Sequence, residues 1–80
     1  MKFHKLTPLT AHMLRRRFSA ELRHEGIRYL NQWQQDVYNG LDSFVAMHEW
    51  VQYGDLERAA HHADIVDESL PAIKKYMESL

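Results

Sequence analysis

The chain is 80 residues long, 45% apolar and 26% charged, with three glycines and two prolines. That length holds one domain, near the lower size at which a chain buries enough surface to fold alone, and the composition excludes wholesale disorder. Cysteine is absent, which excludes disulfides, thiolate metal ligands and cysteine nucleophiles and leaves self-association or partner binding to supplement a small core.

The formal net charge of −1 conceals a division between the two ends. Met1 to Arg28 carries seven Lys or Arg against two Glu, whereas Tyr29 to Leu80 carries three against nine acidic residues. Such polarity implies that the acidic portion faces the basic portion, within one chain or head to tail between two, or that each meets a different partner.

Thr7-Pro8 reads as a helix start, since Thr caps orphan amides and Pro suits the first helical position. Ala11, Leu14, Phe18 and Leu22 then form an apolar stripe that Gly26 ends, which predicts a helix over 8–25. Ile27, Leu30, Trp33 and Val37 predict a second over 27–39. Asn39-Gly40 is its stop and Asp42 the cap of a third over 42–53, with one bent helix over 27–53 as the alternative, because a single Gly costs a helix only about 1 kcal/mol. Tyr53-Gly54-Asp55 combines a stop with a cap and opens a helix over 55–68, whose stripe Leu56, Ala59, Ala60, Ala63 and Val66 is narrow and mostly small. Pro71 breaks the chain near Ser69-Leu70, and a terminal helix over 71–79 bears Ile73 and Met77. No segment alternates with period two. The expectation is an all-α bundle of four to five short helices forming a single domain over residues 1–80.

No apolar run exceeds four residues, Phe44 to Met47, so no membrane span is predicted. No secretory apolar core is present either, and the expected location is cytoplasmic.

The strongest local charge feature is Arg15, Arg16 and Arg17, supported by Lys2, Lys5, Arg23 and Arg28. Consecutive helical residues point about 100° apart, so the three arginines cannot share one flat surface. Their functional reading is contact with phosphate or with an acidic protein; the plainer reading is a solvated face paired with nearby carboxylates. Leu56 to Ile73 resembles a helix-turn-helix in the spacing of its apolar positions. Asp64, Asp67 and Glu68 would repel phosphate where that motif reads DNA, and Pro71 would interrupt its second helix. Six histidines are present, but adjacent His61 and His62 diverge on a helix, and Glu21 with His24 makes only one of the two Glu-x-x-His pairs that a di-iron bundle needs. No metal or other cofactor is therefore expected. No nucleophile motif, shared carboxylate pair or glycine-rich phosphate loop appears, and enzyme activity is not expected.

Aromatic residues crowd the middle of the chain. Trp33, Phe44 and Trp50 lie on apolar stripes and belong to the expected core, whereas Tyr38 and Tyr53 are the candidates for exposed contacts. Arg15, Arg16, Arg17, Arg23, Tyr38 and Tyr53 are thus the candidate partner-binding residues. They point first to a non-enzymatic protein-interaction module, an adaptor, regulator or inhibitor of a larger partner, acting either alone or as a homodimer. The alternative is a nucleic-acid binder that uses the basic first helix or the helix-turn-helix-like segment over 56–73.

Overall fold

Local chemistry at the chain's caps decides where its helices begin and end. In the computed structural model, which describes residues 5–80, these are α1 (Pro8–His24), α2 (Gln32–Gln52) and α3 (Leu56–Glu78). The Thr7 hydroxyl accepts from the Thr10 amide at 3.1 Å while the Thr10 hydroxyl accepts from the Thr7 amide at 2.7 Å, a reciprocal cap for two orphan donors. Gly26, at φ 70°, ends α1: its amide donates to the Arg23 carbonyl and the Ile27 amide to that of Leu22, both at about 3 Å. Gly54, at φ 78°, repeats this turn at the end of α2, with bonds to Val51 and Trp50. Asp55 then caps α3 by accepting from the Arg58 amide.

The expected four to five helices are three because two expected breaks are spanned, and one expected start is also displaced. Helix 27–39 begins late, at Gln32, because Asn31 and Gln34 form a second reciprocal cap: Asn31 Oδ1 accepts from the Gln34 amide at 2.8 Å and Gln34 Oε1 from the Asn31 amide at 2.9 Å. Asn39-Gly40 is not a stop, and Asp42 caps nothing; α2 runs through both. Gly40 is instead buried where α2 meets α3, and a Cβ built on it would lie 2.5 Å from Ser69 Cβ and 2.8 Å from Ile73 Cδ1. Glycine is required there by a close approach rather than by a turn. Nor does Pro71 break the chain, for α3 continues through Ser69, Leu70 and Pro71 to Glu78. Pro71 is exposed, as is Asp67, whose carbonyl loses its helical donor to the proline, so water can solvate that carbonyl at little cost.

α2 is antiparallel to both neighbours. Arg15 meets Asp42 while Phe18 meets Trp33, and Gly40 meets Ser69 and Ile73 while Trp33 meets Tyr76. The core joins Ala11, Leu14 and Phe18 of α1 to Val37 and Leu41 of α2 and to Ala72, Ile73 and Tyr76 of α3. As expected, Trp33 and Phe44 pack against this cluster, whereas Trp50, also expected in the core, does not belong to it. α1 and α3 are the exception to close packing, because none of their Cα atoms approach within 8 Å of each other. They meet only through side chains: the rings of Phe18 and Tyr76 stand edge to face at 4.8 Å, and the Tyr76 hydroxyl donates to Glu21 Oε1 at 3.2 Å. Burial, reinforced by the Glu21 carboxylate, raises the Tyr76 pKa above the ordinary phenol value. The molecule measures 39 × 27 × 19 Å, its short axis about two helix layers. No strand occurs among the described residues, and no helix there is long and apolar enough to cross a membrane.

Candidate interaction surface

The apolar stripe of α1 turns the remainder of that helix toward solvent, and this distributes its arginines unequally. Arg15 lies beside the stripe and its guanidinium pairs with Asp42 of α2. Arg17 donates from Nε to Glu21 Oε1, one turn on, at 3.0 Å. Both therefore have structural partners, as the plainer reading of the triplet anticipates, although exposed pairs of this kind contribute only about 0–1 kcal/mol. Arg16 and Arg23 are exposed, two turns apart, and pair with no carboxylate among the described residues. All four arginines, with Ser19 and Ala20, line a shallow open groove along α1. Lys2 lies outside the described residues.

The same outward face carries apolar groups that sequence reasoning did not single out. Leu9 is 69% exposed and Met13 42% exposed, and both fall in line with Arg16, Ala20 and Arg23 at helical spacing. Unpaired cations bordering exposed apolar side chains are the surface chemistry of a contact face. The signal was present in the sequence, since Leu9 and Met13 fall off the Ala11–Leu14–Phe18 stripe.

The two candidate tyrosines lie apart from this face. Tyr53, 80% exposed, stands at the α2–α3 turn, and Tyr38, 37% exposed, lies midway along α2; neither lines the α1 groove. Trp50 is half-buried, near the Tyr53 ring and with the Arg58 guanidinium 4.5 Å above its own. A second open groove runs between the start of α1 and the end of α2, lined by Pro8, Leu9, His12, Val45, His48 and Val51 among others.

The outward face of α3 has the opposite sign as far as Glu68, before exposed Lys74 and Lys75. Glu57, Asp64, Asp67 and Glu68 are all exposed, and none forms an ion pair among the described residues. The helix-turn-helix-like spacing at 56–73 is corrected here: that segment lies within the single helix α3 and has no turn. His61 and His62 stand ring to ring at 5.6 Å, Glu21 is engaged by Arg17 and Tyr76, and no three potential ligands are grouped to hold a metal among the described residues.

Fold and surface together define a small three-helix chain with a cationic, partly apolar first helix and an anionic third. Comparison with protein-family models, curated proteins and solved structures finds no match to the chain.

Proposed function

We propose that this chain is a non-enzymatic helical interaction module that works by occupying a surface on a protein partner, with α1 as its contact helix. The observation that supports this reading is the outward face of α1, along which exposed Leu9 and Met13 and unpaired Arg16 and Arg23 follow one another. Arginine beside apolar surface is characteristic of protein interfaces, because the guanidinium donates several hydrogen bonds and tolerates desolvation better than an ammonium. The fitting partner is acidic and presents a groove or helix of its own. Tyr53 is a second, separate anchor of the type that interfaces favour.

The other reading, nucleic-acid binding, rests on the same two arginines. It would place them against phosphate, with an affinity that falls steeply as salt displaces the contacts.

An affinity capture with the tagged chain, carried out with and without nuclease and across a salt series, separates the two. A bound protein that survives nuclease, and whose recovery drops at least about tenfold with Arg16→Glu and Arg23→Glu together, is the expected result. Recovery of nucleic acid, lost with nuclease and salt, would replace this reading with the other.

A further inference from the structure

We infer that the partner for α1 is α3 of a second copy of this chain, docked antiparallel and head to tail. This rests on the reading of α1 as a contact helix and names its occupant.

The charge division is not discharged inside the molecule. α1 and α3 share no Cα approach within 8 Å, and their only polar link is the Tyr76–Glu21 hydrogen bond. One ion pair, Arg15–Asp42, joins the basic segment to the acidic one among the described residues. Arg16 and Arg23 point away from the core that the two helices share, as do Glu57 and Asp64. These groups cannot meet within one copy; two copies can bring them together.

The outward faces of α1 and α3 also agree in register. On α1 the exposed residues Leu9, His12, Arg16, Ala20 and Arg23 recur at steps of three, four, four and three, with exposed Met13 beside them. On α3 the exposed residues Glu57, Ala60, Asp64, Glu68 and Pro71 follow the same steps. Each set falls within an arc of about 80° and spans about 21 Å. Laid antiparallel, the two sets match at every position: Leu9 on Pro71, His12 on Glu68, Arg16 on Asp64, Ala20 on Ala60, Arg23 on Glu57. Apolar meets apolar at one end, an arginine meets a carboxylate at the centre and again at the other end, and small meets small between those two pairs. The paired alanines allow the helix axes to approach closely, and the antiparallel sense sets the helix dipoles favourably. A parallel docking that keeps both charge pairs places Ala20 against His61 and carries Leu9 beyond the start of α3, so the antiparallel sense is the one selected.

Because the contact joins different faces, it either closes as a ring or a two-fold pair, or extends as a chain of copies. Its charges are exposed, so the association is salt-sensitive: the Debye length falls from about 30 Å at 0.01 M salt to about 3 Å at 1 M.

The test is a charge exchange followed by light scattering and sedimentation at up to about 1 mM protein, a range that samples even weak affinity. The wild type is expected above monomer mass at low salt and to dissociate as salt rises. Arg16→Glu with Arg23→Glu, and separately Glu57→Arg with Asp64→Arg, are each expected to be monomeric alone, and their equimolar mixture to regain the association. Circular dichroism verifies folding; if either double variant unfolds, the single exchanges Arg16→Glu and Asp64→Arg take their place. A wild type that stays monomeric at low salt, or variants that associate unmixed as the wild type does, would overturn the inference. If such a monomeric chain still captures another protein through α1, the proposed function stands and only this choice of partner falls.

Discussion

At Gly40 two residue-scale effects oppose each other, and their magnitudes decide the sign. Gly40→Ala gains about 1 kcal/mol of helix propensity. The added methyl, however, falls 2.5 Å from Ser69 Cβ, an atom bonded directly to the α3 backbone that cannot rotate aside. α2 and α3 must then separate, and overpacking of this kind costs about 1–3 kcal/mol. The variant is expected to be less stable than the wild type in urea unfolding; a more stable one would mean that the helices separate without loss of packing. Tyr76 gives a second prediction. Burial and the Glu21 carboxylate raise its pKa, so the folded state holds the phenol proton more tightly than the unfolded chain does. The resulting stabilisation is complete below the unfolded value of about 10 and is lost as pH rises above it. Tyr76→Phe should therefore cost about 1 kcal/mol near neutral pH through the lost hydrogen bond. It should also flatten the decline in stability at alkaline pH, as measured by unfolding at a series of pH values.

At the scale of the elements, end signals and interior breakers behaved differently. Thr7, Gly26, Gly54 and Asp55 act locally, each through hydrogen bonds to residues within a few positions, and each sets a helix boundary as read from sequence. Gly40 and Pro71 are breakers whose local cost the tertiary structure overrides. For Pro71 that cost persists, because its ring and missing amide still weaken α3 from the exposed side. Pro71→Ala is expected to stabilise the chain by about 1–3 kcal/mol, seen as a higher urea midpoint. No gain would mean that the proline offsets its helical cost by restricting the unfolded chain.

At the scale of the whole molecule, the packing is lopsided. α2 and α3 run against each other along their length around Gly40, Ser69 and Ile73, whereas α1 lies against α2 and reaches α3 through side chains alone, among them Phe18, Glu21 and Tyr76. α1 should therefore open before the α2–α3 hairpin does. Native-state hydrogen exchange is expected to show the amides of Leu14 to Leu22 exchanging faster than those of Val37 to Phe44 and Val66 to Ile73. Equal protection in all three helices would mean a single cooperative unit.

The all-helical class, the caps and the stripes of α1 were legible in the sequence, because helical periodicity and capping are interactions among near neighbours. So was half of the candidate surface: Arg16 and Arg23 stand out as charges, and Tyr53 as an aromatic residue beside a turn. The merging of five segments into three helices was legible only in part: one helix across Gly40 was the alternative reading, and choosing it depends on α3 filling the space that Gly40 leaves, some thirty residues away in sequence, while the continuation through Pro71 was not read at all. The sorting of the arginines was equally hidden, because Asp42 reads locally as a cap and becomes the partner of Arg15 only when α1 packs on α2. Sequence by itself determined that the chain is helical, where the ends capped by Thr7, Gly26, Gly54 and Asp55 fall, and that charge divides along the chain. Only the tertiary structure decided which breakers are spanned and which charges remain unpaired, because both follow from contacts between residues that the chain order keeps far apart.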